Sequence, residues 1–74
     1  MSRDRWTLEI YRRAGDPGSL VATHEFNSLA SLRITIVENR GMVFVVQAPK
    51  HATAADRKTL LDLRAQGFDI AMRA

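Results

Sequence analysis

Apolar and polar positions alternate over residues 6 to 13, which read WTLEIYRR. This two-residue period is typical of a β-strand that buries one face. The segment AGDPGS at 14 to 19 is rich in turn residues, with Pro17 suited to the second turn position and Gly18 to a position of positive φ. A second strand is expected over residues 20 to 26. The start of the chain therefore predicts a β-hairpin.

Residues 27 to 41 fit two different elements. As a helix, the segment has Asn27 or Ser28 as its amino-terminal cap and Gly41 at the left-handed position that follows its last turn. As a strand, its centre LRITIV at 32 to 37 is rich in β-branched residues and also alternates. We favour the helix because the caps at both ends agree with its length.

The second half of the chain predicts a strand, a helix and a last strand. Residues 42 to 47, MVFVVQ, are apolar on both faces, which is typical of a central position in a sheet. Thr53 and Asp56 have the spacing of a capping box, and Gly67 is placed to end the helix that they begin. Residues 68 to 73 alternate again and predict an amphipathic strand.

These elements predict one α+β domain over residues 1 to 74, in the order β-β-α-β-α-β, with a four-stranded sheet and two helices. If residues 28 to 40 formed a strand instead, the domain would have a five-stranded sheet and one helix. His24 would share a strand face with Leu20, Ala22 and Phe26, so we expect it to be partly buried.

The length and composition of the chain bear on its stability. A domain of 74 residues buries only about 60% of the surface that its unfolded chain exposes. The sequence contains no cysteine, so no disulfide reinforces this small core, and self-association as a homodimer is expected. The longest apolar run, at 42 to 46, is far too short to span a membrane, and the opening MSRDRW lacks the apolar core of a signal peptide. We expect a cytoplasmic protein.

The sequence contains no recognisable catalytic constellation. Its only histidines, His24 and His51, are far apart, and neither has a second ligand at helical spacing. There is no phosphate-binding glycine loop and no nucleophile motif. The sequence therefore predicts no metal and no cofactor, and it favours a non-enzymatic role over an enzymatic one.

The leading hypothesis concerns the central strand. Two helices, each about 10 Å wide, can just cover one face of four strands spaced about 4.8 Å apart. If both helices lie on one side, either Val43 and Val45 or Phe44 and Val46 remain uncovered, and such an apolar stripe is normally buried against a partner. The predicted protein interface comprises Val43, Phe44, Val45, Val46 and Tyr11.

Two alternative sites rest on basic residues, which give the chain a net charge of +3. Two arginine pairs, each seven residues apart on a predicted helix, could border a groove that contacts the phosphates of a nucleic acid. These pairs are Arg33 with Arg40 and Arg57 with Arg64.

The second alternative is a small-anion site in the loop over residues 48 to 58. Lys50, His51 and Lys58 lie near the predicted amino terminus of the second helix, where backbone N–H groups favour anions. Because Asp56 already places a negative charge there, this site ranks third.

Overall fold

The computed structural model describes residues 4–73 and contains the six predicted elements in the predicted order. The strands are β1 (Trp6–Tyr11), β2 (Leu20–Phe26), β3 (Val43–Gln47) and β4 (Asp69–Arg73), and the helices are α1 (Leu29–Glu38) and α2 (Ala54–Ala65). The strands form one mixed sheet in the order β2-β1-β3-β4. β1 is antiparallel to both of its neighbours, whereas β3 and β4 are parallel and are joined through α2.

The ambiguous segment is a helix, and the alternative five-stranded sheet does not form. The Ser28 hydroxyl accepts a hydrogen bond from the backbone N–H of Ser31 at 3.3 Å, which caps the first turn of α1. Leu32 and Ile36, one helical turn apart, are fully buried. Gly41 has a φ of 96°, so the left-handed position predicted after the helix is confirmed. The capping and the helical spacing of the buried pair outweigh the β propensity of this segment.

Helix α2 begins and ends as its sequence predicts. The Thr53 hydroxyl accepts a hydrogen bond from the Asp56 N–H at 3.1 Å, and the Asp56 carboxylate accepts one from the Thr53 N–H at 3.0 Å. This is the complete capping box. Gly67 follows the helix with a φ of 106°.

The turn between β1 and β2 differs from the expected one. Residues Pro17–Ser19 form a short 3-10 turn, whose cap is the Asp16 carboxylate accepting from the Gly18 N–H at 3.0 Å. The positive φ, 71°, belongs to Gly15. The prediction for Gly18 was wrong because the proline, which fixes φ near the helical value, follows a capping aspartate and starts a helical turn.

A single core lies between the helices and one face of the sheet. It contains buried side chains from both helices, from three of the strands and from Phe68, which lies just before β4. These residues are Trp6, Leu8, Ile10, Leu32, Ile36, Phe44, Val46, Leu60, Leu63, Phe68 and Ile70. Their strand members all lie on the same face of the sheet. Both helices therefore cover one side of the sheet and leave the other without a helix among residues 4–73.

His24 is more exposed than its position in the strand pattern predicts. His24 lies on the core side of β2 but is exposed, with its ring 6.0 Å from that of Phe26. The expected partial burial does not occur because β2 is an edge strand, most of which remains exposed.

Candidate functional site

The helix-free side of the sheet, which we call the open face, is organised in three rows by the strand register. The first row contains Leu20, Tyr11, Val43 and Asp69. The second row contains Thr23, Glu9, Val45 and Ala71. The third row contains Glu25, Thr7, Gln47 and Arg73. The first row is apolar across three neighbouring strands, the third is polar, and the second combines both characters.

The apolar part of the open face borders a shallow cleft of about 290 Å³. Tyr11, Val43 and Val45 form its floor on the sheet, and residues of the β1–β2 turn form its wall. Within the turn, the Arg13 guanidinium lies 2.9 Å from the Asp16 carboxylate. All three floor residues are half-buried, so they offer apolar surface that is not used by the core.

A polar cluster crosses the middle of the open face. One carboxylate oxygen of Glu9 accepts hydrogen bonds from the Tyr11 hydroxyl at 3.1 Å and from the Arg73 guanidinium at 2.9 Å. Arg73 lies on β4 and Glu9 on β1, so this ion pair passes over β3. Partial burial raises the pKa of Tyr11, and the hydrogen bond to Glu9 and its negative charge raise that pKa further. Because the Glu9 carboxylate accepts this hydrogen bond, the Tyr11 hydroxyl keeps its proton and donates the bond to Glu9.

The structure divides the predicted interface residues between the two sides of the sheet. Phe44 and Val46 are 0% exposed beneath the helices, so they have no surface to offer a partner. Val43, Val45 and Tyr11 lie together on the open face. The sequence left open whether Val43 and Val45 or Phe44 and Val46 would be uncovered. In the structure the uncovered pair is Val43 and Val45.

Sequence reasoning missed Leu20. Regular alternation places Leu20 on the core face with Ala22, but Val21 is an extra residue in β2, so Leu20 pairs with Tyr11 while Ala22 pairs with Ile10. Leu20 is 45% exposed and extends the apolar row to the edge strand. No local signal in the sequence marks this bulge, because it depends on pairing with β1.

The four arginines of the nucleic-acid hypothesis have different surroundings. The prediction that Arg40 lies on the first helix is wrong, because α1 ends at Glu38. Its guanidinium instead lies 5.4 Å from the centre of the Phe68 ring, a cation–π distance. The Nε of Arg64 donates to the Ile70 carbonyl at 3.0 Å.

Arg33 and Arg57 are exposed on α1 and α2, respectively. Arg57 and Arg40 line different clefts. Arg40 and Arg64 thus have partners within the protein, at Phe68 and at the Ile70 carbonyl. Binding of nucleic acid by the four arginines stays a prediction.

A second cleft, of about 540 Å³, lies beside the loop after β3, and we call it the basic cleft. It is lined by Ala48, Pro49, Lys50, Arg57, Leu61, Met72 and Arg73. Of the residues predicted for an anion site, Lys50 lines this cleft, whereas His51 and Lys58 are exposed outside it. Arg73 was not predicted here. It joins Lys50 because β4 is parallel to β3, which brings the ends of both strands to one edge of the sheet.

The described residues, 4–73, hold no group of three or more histidine, cysteine, aspartate or glutamate side chains placed to bind a metal ion. Neither helix within this range is long and apolar enough to cross a membrane. Comparison with protein-family models, curated proteins and solved structures gives no significant match. What the protein does has to be inferred from its own surfaces.

Proposed function

We propose that this protein is a non-enzymatic interaction domain that forms a homodimer through its open face. The observation that carries the proposal is the placement of Tyr11, Val43 and Val45. Their apolar surface lies in the middle of a sheet whose helices cover only the opposite side. An uncovered apolar stripe at the centre of a sheet is usually buried against another molecule.

The size of the open face fits a dimer. The molecule measures 30 × 29 × 20 Å, and the short dimension matches the thickness of one sheet layer and one helix layer, each about 10 Å. The open face is then one of the two broad sides, whose outline fits within 30 × 29 Å. A stable interface of standard size buries about 800 Å² on each partner. An interface of that size would use most of this broad side, and a second copy presents a side of the same dimensions.

The charges of the open face also suit a second copy. In a two-fold dimer the same surface meets itself, so a face with charge of one sign would repel its partner. Here Glu9 and Arg73 neutralise each other within one protomer. The apolar row lies to one side of this pair, and its last member, Asp69, is exposed on the edge strand β4. Two sheets stacked about 10 Å apart would bury Leu20, Tyr11 and Val43 while the Asp69 carboxylate stays in water at the rim.

The experiment compares two lysine substitutions by sedimentation velocity at micromolar concentrations. The wild type should sediment as a dimer and Val45→Lys, on the open face, as a monomer. Ile34→Lys is the matched control, since Ile34 is 59% exposed on α1, on the opposite side of the sheet, and this variant should remain a dimer. Leu20→Lys tests the same face from the edge strand if Val45→Lys does not fold.

A wild type that is monomeric throughout the micromolar range would contradict the proposal. So would loss of the dimer in Ile34→Lys with retention of the dimer in both open-face variants. Circular dichroism of each variant establishes that the change in mass does not come from unfolding.

A further inference from the structure

The basic cleft lies at one end of the parallel strand pair. Lys50 follows the carboxyl end of β3, Arg73 is the last residue of β4, and Arg57 lies in the first half of α2. In sheets with parallel strands and a connecting helix, the crevice at the carboxyl ends of the strands is a common ligand position. The topology thus brings together three cations that are distant in the sequence.

The positive charge of the cleft is not balanced at the cleft itself. No acidic residue occurs among its described lining residues, and Lys50 and Arg57 have no carboxylate within ion-pair distance in residues 4–73. The acid next to Arg57 in the sequence, Asp56, is held in the capping box of α2. Arg73 contacts Glu9 through one terminal nitrogen, and its side chain stays 53% exposed, so it retains donors for a second anion.

Apolar side chains complete the lining. Leu61 is 49% exposed and lies beside Met72, Pro49 and Ala48, so the lining includes apolar surface in contact with water. An inorganic ion would leave this surface in contact with water. The volume of about 540 Å³ falls within the range of about 300 to 1,000 Å³ that is usual for small-molecule pockets.

From this combination we infer that the basic cleft binds a small amphipathic anion, with a carboxylate or phosphate head and an apolar body. The head contacts Lys50, Arg57 and Arg73, while the body covers Leu61 and Met72. The cleft shares Arg73 with the third row of the open face, whereas its other lining residues belong to none of the three rows, and binding does not require the dimer.

The test is a titration of the ¹⁵N-labelled protein followed by NMR, with octanoate and octyl phosphate as probes below their micelle concentrations. Both probes should shift the amide signals of Lys50, Arg57, Leu61 and Arg73. Acetate and inorganic phosphate, which share the heads but lack the chain, should bind at least about tenfold more weakly, since tenfold corresponds to about 1.4 kcal/mol and the chain buries several methylene groups. The tighter of the two octyl probes identifies the head.

Two pairs of variants separate a defined site from general attraction to positive charge. Arg57→Gln and Leu61→Asn should each weaken octyl probe binding at least about fivefold, through the head and the chain respectively. Arg12→Gln removes the same charge from an exposed position in the β1–β2 turn, and Ile34→Asn removes an exposed apolar side chain from α1. Both controls should bind as the wild type does.

Absence of shifts at the cleft would overturn the inference. Equal weakening by Arg57→Gln and Arg12→Gln, with no effect of Leu61→Asn, would overturn it as well, because binding would then depend on net charge alone. Equal affinities for acetate and octanoate would remove the role of the apolar lining.

Discussion

Val45 and Val46 are neighbours in β3, but their side chains point to opposite faces of the sheet. Val46 is 0% exposed under the helices, whereas Val45 is half-buried on the open face. Substituting each in turn by alanine removes the same atoms from the same strand. The difference between the two variants therefore measures which face the helices cover.

The expected magnitudes follow from burial. Removing two buried carbons costs about 1.6 kcal/mol in transfer free energy, at about 0.8 kcal/mol for each. The cavity that remains raises the cost of Val46→Ala to about 2 to 3 kcal/mol. For Val45→Ala, whose methyl groups already contact water, we expect less than about 1 kcal/mol in the monomer. At about 0.05 to 0.15 kcal/mol per residue, a chain of 74 residues has a total stability of about 4 to 11 kcal/mol, so the first loss is large.

Urea unfolding followed by circular dichroism measures both values, at a protein concentration low enough for the wild type to be monomeric. With a slope of about 1 kcal/mol per molar urea, Val46→Ala should lower the midpoint by about 2 M or more and Val45→Ala by less than about 1 M. Similar losses in the two variants, or a larger loss in Val45→Ala, would refute the placement of both helices on one face.

Three further predictions concern single features of the fold. Thr53→Ala should lower the free energy of unfolding by about 1 kcal/mol in urea titrations because it removes half of the capping box, whereas Thr59→Ala, within the same helix, should change it by less than about 0.5 kcal/mol. Gly67→Ala should cost about 1 to 2 kcal/mol in the same assay through backbone strain alone, since its φ is 106° and a Cβ would meet nothing within 4 Å; an unchanged midpoint would contradict this. Titration of Tyr11 by its phenolate absorbance should give a pKa above the ordinary 10.0, and Glu9→Gln should lower it. Because the folded-state pKa is the higher one, the stability from Tyr11 is complete below pH 10 and is lost as the pH rises through the folded-state pKa, so a midpoint that did not fall there would contradict the assignment.

The elements of this fold could be predicted because their signals are local. The alternation in β1, the capping box of Thr53 and Asp56 and the glycine after each helix depend on residues a few positions apart, and all are confirmed. The turn before β2 was the local exception, where Asp16 and Pro17 began a helical turn instead of the expected one.

The candidate sites could be predicted only in part. The apolar composition of β3 indicated that one of its faces stays uncovered if both helices lie on one side, but Val43 and Val45 could not be distinguished from Phe44 and Val46 by sequence. Arg73 was not connected with Lys50, because their proximity depends on β4 lying parallel to β3.

The sequence by itself determined four strands and the helix that begins after Thr53, and it favoured a helix over a strand for residues 28 to 40, since hydrophobic period, caps and turn residues act over a few positions along the chain. The tertiary structure alone decided which face of the sheet stayed open, which side Leu20 took after the bulge, and that Lys50, Arg57 and Arg73 line one cleft. Those outcomes depend on strand pairing and on the side to which each helix crosses, which are contacts between residues distant in the chain.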